Sequence, residues 1–205
     1  MNNRRLYIVS RMVSALFNPF ITPLVIFIML LFFTYLRILP LAFKLIILSM
    51  VTSFTMVLPM LTIYIFQRIN GWRLKDLRVR ERRFFPYGLT ILCYVTCLIT
   101  MNRMHLSRYL WGIILAALLC MVICTLINLK WKISTHTASS GLFIGVLLSY
   151  SLIFNFNPVW WLCVCILLAG LIGSARIIVR QHTLNEVCAG FFVGIFCGII
   201  GILFI

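Results

Sequence analysis

The sequence predicts an all-α, polytopic transmembrane bundle of six to seven spans, and three observations carry that prediction. Hydrophobic residues make up 63% of the 205 positions and mean hydropathy is +1.13. That is more apolar surface than a soluble domain can cover with polar groups. The apolar residues fall in runs close to the roughly 20 needed to cross a bilayer, and ionisable residues gather in short stretches between the runs. A single domain is expected over residues 1–205, with 1–16 as a basic N-terminal flank.

That flank carries Arg4, Arg5 and Arg11. It lacks the short apolar core and small-residue cleavage site of a secretory signal, so it reads as a retained segment lying at the membrane interface. The first span is expected over 17–36, with Pro19 and Pro23 confined to its first turns, and the second over 39–66. Lys44 is expected to snorkel outward from the second. A charged loop follows at 67–83. The next span, 84–101, is the least apolar and opens with Pro86 near a helix start. The polar turn NRMHLSR leads to a span over 109–127, which LKWKISTHT ends at 129–137. Spans over 138–154, 159–178 and 187–205 complete the bundle, the first of these closed by the turn NFNP. Trp111, Trp131, Trp160 and Trp161 fall at span ends, where an aromatic belt belongs. Gly190, Gly194 and Gly198 form a stripe along the last span that allows another helix to approach closely.

The eight cysteines all lie in or beside apolar runs. Cys93/Cys97 and Cys120/Cys124 have the i, i+4 spacing of metal ligands, but no histidine or carboxylate accompanies them. They read as small packing residues, with neither disulfide nor metal expected. The formal charge of +15 sits in the loops and N-terminus. It points to anionic headgroups or phosphate as partners rather than nucleic acid.

Residues 174–190, SARIIVRQHTLNEVCAG, set two arginines, a histidine and a glutamate between two apolar runs. The whole chain has only three histidines and three acidic residues. An ionisable group within a span costs about 2.5 kcal/mol or more, so such a group marks a functional site. His182 and Glu186, four apart, share one helix face within hydrogen-bond reach. An even number of crossings separates the polar stretches 67–83, 129–137 and 174–190, so all three emerge on one side of the membrane. One pocket can then collect Lys75 and Arg82, His136, and Arg176, His182 and Glu186. Two histidines and one carboxylate make a poor metal site. A lysine with two arginines cradles the oxygens of a phosphate. One histidine can attack phosphorus while the other protonates the leaving oxygen, with Glu186 holding a ring nitrogen. The chemistry so implied is metal-independent phosphoryl transfer through a phosphohistidine.

These stretches resemble the type-2 phosphatidic acid phosphatase superfamily, marked by K-x-x-x-x-x-x-R-P, P-S-G-H and S-R-x-x-x-x-x-H-x-x-x-D. KDLRVRER, from Lys75 to Arg82, keeps the first interval but has Arg83 where proline stands. ISTH keeps Ser134 and His136 and loses the proline and glycine. In SARIIVRQHTLNE, Arg176, His182 and Glu186 fall at the family intervals, with glutamate for aspartate and an alanine after Ser174. The resemblance covers roughly 67–190. It implies that His182 is the nucleophile and His136 the general acid, that Lys75, Arg82, Ser134 and Arg176 bind phosphate, and that Glu186 orients His182. Arg83 is the alternative to Arg82.

The function so implied is a lipid phosphate or diphosphate phosphatase without metal or cofactor. Phosphatidic acid, phosphatidylglycerol phosphate, an isoprenyl diphosphate and a phosphorylated lipid A are the candidate substrates. A phosphotransferase using a hydroxyl acceptor, and a non-catalytic phospholipid-binding protein, are the alternatives. The blander explanations are a basic loop drawn to anionic lipid, a loop histidine at 136 and a structural His182–Glu186 bond. Joint occurrence in register on one face favours the site, whereas His105 has no partner at any motif spacing. Fourteen lysines and arginines fall on the side of the motif loops and the N-terminus, against four on the other. The positive-inside rule thus places the site on the cytoplasmic face of a bacterial cytoplasmic membrane.

Overall fold

A computed structural model describes residues 20–69, 71 and 84–204. They are helical, with no strand among the described residues. We number the helices α1 (Thr22–Phe33), α2 (Leu41–Ile69), α3 (Phe84–Arg103), α4 (Arg108–Lys130), α5 (Thr135–Phe154), α6 (Val159–Ile178) and α7 (Leu184–Leu203). Five of them, α2 and α4 to α7, are long and apolar enough to cross a membrane. The chain is on that evidence an integral membrane protein.

The exceptions have local causes. α1 carries Pro23 in its first turn and stops at Thr34, whose backbone turns extended and leads into a 3-10 turn over Tyr35–Ile38. Its twelve described residues fall short of the expected 17–36 span. α3 has twenty residues, about 30 Å at 1.5 Å each, but threonines and tyrosines dilute it. Its threonine hydroxyls bond back to the helix's own backbone: Thr90, Thr96 and Thr100 donate to the carbonyls of Pro86, Leu92 and Thr96, which suits a low-dielectric setting.

Other helices depart from the expected boundaries. α2 passes through a π segment at Ser53–Val57 directly before Pro59. Proline has no N–H and crowds the carbonyl four residues back, and a widened turn takes up that misfit. Lys44 does not snorkel outward. It is buried, donates to the Arg37 carbonyl at 2.7 Å and stands 5.0 Å over the Phe32 ring. It thereby satisfies the end of the 3-10 turn rather than reaching water. His105 holds a left-handed conformation (φ +50) where α3 ends. Its N–H donates to the Asn102 carbonyl, and that of Leu106 donates to the Met101 carbonyl. This residue is a helix terminator.

The centre of the bundle is the α5–α7 pair. A Cβ placed on Gly194 would overlap the Ala138 carbonyl, and Cβ atoms on Gly141 and Gly145 would overlap the carbonyls of Phe191 and Ile195. Both helices thus supply small residues, and their backbones meet almost without side chains between them. α4 packs on the same pair, with Gly201 lying against Ala116. Trp160, Leu167, Leu171, Phe192 and Phe196 point outward, an apolar surface that suits lipid rather than water.

Candidate active site

Three helix ends meet at one end of the bundle. α5 begins with Ser134 as its N-cap, whose Oγ accepts the Thr137 N–H at 3.5 Å. His136 therefore stands in the first helical turn and not in the preceding loop. The hydroxyl cap lets the helix start before the apolar run does.

α6 carries Arg176 in its last turn. The helix closes through two bonds, from the Arg180 N–H to the Ile177 carbonyl (2.9 Å) and from the Gln181 N–H to the Arg176 carbonyl (3.1 Å). This is a Schellman motif with Arg180 at φ +54 in the position that glycine usually fills. A left-handed conformation costs an L-residue roughly 1–2 kcal/mol. The tight reversal delivers His182 directly ahead of α7. Thr183 caps that helix, accepting the Glu186 N–H at 3.5 Å. The T-x-x-E signature of a capping box is present, but the Glu186 carboxylate takes a different donor.

That donor is His182. Its Nδ1 lies 2.7 Å from Glu186 Oε2, with side chains only 4% and 12% exposed. His182 precedes the helix instead of sharing its face, yet the four-residue spacing still closes the pair. An ionised carboxylate only accepts, so Nδ1 carries the proton and Nε2 keeps its lone pair. Burial pulls the imidazole down from 6.5 to about 4. Arg176 and Lys132 push the same way, against the hydrogen bond and charge of Glu186. At neutral pH the ring is uncharged.

Further contacts lock the ends together. The Ser134 N–H donates to the Glu186 backbone carbonyl at 3.3 Å. A Cβ on Gly190 would stand 2.5 Å from the Ser134 carbonyl, and one on Gly173 would stand 3.0 Å from Val187 Cγ1 and 3.9 Å from Thr137 Cγ2. Gly173, Val187 and Thr137 come from α6, α7 and α5, within a turn of Arg176, Glu186 and His136. The structure therefore brings Ser134, His136, Arg176, His182 and Glu186 to one convergence of helix ends. Lys75, Arg82 and Arg83 lie outside the described residues. Among the described residues, no three His, Cys, Asp or Glu side chains gather as metal ligands would.

Sequence reasoning passed over two members of this neighbourhood. The Lys132 ammonium donates to the Gln181 carbonyl at 2.5 Å, across 49 positions. Nothing in the spacing of the chain links those two residues. Thr183, by contrast, was findable from its glutamate three residues on.

Fold and site together define a helical integral membrane protein with a histidine–carboxylate pair set beside cations at the meeting of three helix ends. The model of the PAP2 superfamily matches residues 128–205, and that match supports membership of the superfamily. The superfamily suggests phosphatase or lipid phosphotransferase activity, and its members are generally phosphatases, which supports a phosphoester hydrolase. The matched stretch holds Ser134, His136, Arg176, His182 and Glu186 but not Lys75 or Arg82. No curated protein and no solved structure matches the chain.

Proposed function

We propose that the protein is a metal-independent phosphatase of membrane lipid phosphates or diphosphates that works through a phosphohistidine on His182. The observation that carries this reading is the buried, uncharged His182 ring, tied through Nδ1 to Glu186 at 2.7 Å. Its Nε2 lone pair attacks phosphorus, and the alcohol oxygen leaves with a proton from His136. The ring gains positive charge as the N–P bond forms, and Glu186 stabilises that charge. Arg176, Ser134, Lys75 and Arg82 hold the phosphate oxygens. Water then attacks the phosphohistidine, giving its proton to His136, and inorganic phosphate departs.

The lipid tail stays in the bilayer. Beside Thr135 and Ser139, which flank His136, a cleft runs inward toward Cys120 and Cys124, but its volume is only ≈ 20 Å³. That is room for about one water molecule and none for an acyl chain. A substrate with its headgroup at the helix ends and its tail against the outer apolar surface meets no such limit.

The site faces the cytoplasm in this reading. Leaving out the N-terminal flank, eleven lysines and arginines fall in the polar stretches 67–83, 129–137 and 174–190, which the sequence assigns to the side of the site. Four (Arg37, Lys44, Arg103 and Arg108) fall in the stretches assigned to the other side. By that sequence count the positive-inside bias favours the cytoplasm even without the N-terminus.

The test is phosphate release from a panel of lipid phosphates by the purified protein in detergent, with and without chelator and vanadate. Release that survives chelation, falls with vanadate and vanishes in His182→Ala is expected. Loss on chelation with rescue by a divalent ion overturns the metal-independent reading, and wild-type release by His182→Ala overturns the covalent one.

A further inference from the structure

Lys132 belongs to none of the three motif positions, yet it touches the segment that presents His182. Its ammonium donates to the backbone carbonyl of Gln181, the residue directly before the histidine. That carbonyl is aimed by the Schellman turn, in which Arg180 holds a left-handed conformation. Two residues after Lys132, Ser134 donates its N–H to the Glu186 carbonyl. The lead-in to α5 thus grips the α6–α7 link on both sides of His182, once before it and once after it.

Taking the phosphatase reading as its ground, we propose that Lys132 is a positioning residue for His182. Its ammonium fixes the Gln181 carbonyl, and so the approach of the imidazole, and sets a positive charge beside the ring. Among the described residues, the charged groups that act on the imidazole come from three elements: Glu186 from α7, Arg176 from the end of α6, and Lys132 from the lead-in to α5. The carboxylate favours the imidazolium, and the two cations oppose it. A reactive Nε2 lone pair needs the cations to prevail together with burial, and Arg176 is also engaged with phosphate during turnover. Among the described residues, Lys132 is thus the cation that acts on the ring without being needed as a phosphate ligand.

The experiment uses the full chain in detergent micelles with isotope-labelled histidine. The three histidines give three ring signals, and the His182 signal is the one missing from His182→Gln. In the wild type it should titrate well below the ordinary 6.5. In Lys132→Met it should move up toward that value, and kcat on phosphatidic acid in mixed micelles should fall about tenfold or more. Lys132→Gln can still donate to the Gln181 carbonyl but carries no charge. It should show the same upward titration with a smaller loss of kcat, and Lys132→Arg should restore both readouts. Should Lys132→Met not fold, Lys132→Gln decides the matter.

A His182 titration unmoved in both uncharged variants overturns the proposal, as does an unchanged kcat. The titration requires no turnover. A wild type that releases phosphate from no lipid would therefore sink the phosphatase reading, while a shifted titration would still stand as evidence for the Lys132 contact.

Discussion

His182 Nδ1 and Glu186 Oε2 lie 2.7 Å apart, with the histidine ahead of α7 and the glutamate in its first turn. The pair spans the helix start and fixes the ring by one strong bond, leaving Nε2 directed away from the carboxylate. Glu186 also gives its backbone carbonyl to Ser134, so the residue that orients the imidazole is itself held by α5.

Replacing Glu186 by glutamine should lower kcat by on the order of 10²-fold or more while changing KM little. The amide cannot stabilise an imidazolium and can present a donor to Nδ1. Glu186→Asp should retain more activity than Glu186→Gln, because it keeps the charge. Steady-state kinetics on one lipid phosphate checks both, and normal turnover by Glu186→Gln would reduce the pair to a structural bond.

The lowered pKa of His182 has two consequences with one sign. On the proposed mechanism His182 attacks when uncharged, so kcat/KM should hold as pH falls through 6.5 and decline only toward about 4. Between those values the unfolded chain binds a proton at this residue and the folded chain does not. The stability contributed by His182 is accordingly present above 6.5 and is lost as pH falls toward 4. Thermal unfolding of wild type and His182→Gln from pH 8 to pH 4 should show a shallower acid decline in the variant. Equal slopes would mean that the ring titrates normally.

Gly194→Ala should destabilise the protein by roughly 1–3 kcal/mol, because the new Cβ meets the backbone of Ala138 and Leu142 and neither can step aside. Gly170 is the control. A Cβ there has nothing within 4 Å, and Gly170→Ala should be neutral or gain up to about 1 kcal/mol from helix propensity. Comparing the two midpoints in one detergent tests the α5–α7 contact. Equal stability would show that the two helices do not meet through bare backbone.

How much of this was legible in advance depended on the residue. The apolar runs revealed α4 and α6 nearly to their ends, since hydropathy is what confines a helix to the bilayer. They concealed the starts of α5 and α7, where Ser134 and Thr183 cap helices whose first turns are polar. Hydropathy places those turns outside the span, whereas the caps place them inside the helix. The i, i+4 relation of His182 and Glu186 was readable because it is local. The Gly190, Gly194 and Gly198 stripe announced a close partner but not which one, since Gly141 and Gly145 sit in a different run. Lys44 was misjudged because its acceptor, the Arg37 carbonyl, exists only once the 3-10 turn has formed. Lys132 was invisible for the same reason, its partner being a carbonyl 49 positions away.

The cytoplasmic placement is open to labelling in intact cells. On a cysteine-free background, Trp131→Cys lies beside the site at an exposed position, and Met104→Cys is exposed at the opposite end of the bundle. A membrane-impermeant thiol reagent added from outside should reach position 104 and leave 131 unmodified. Labelling of 131 alone would reverse the orientation that the charge distribution implies.

The most direct test of the central claim is to trap the intermediate. Protein is mixed with a lipid phosphate labelled in its phosphorus, denatured in base within one turnover and digested. The account predicts protein-bound label on the peptide containing His182, stable in base and released by acid as a phosphohistidine is, and absent from His182→Gln. Full turnover with no label on the protein, or label persisting in His182→Gln, would contradict it.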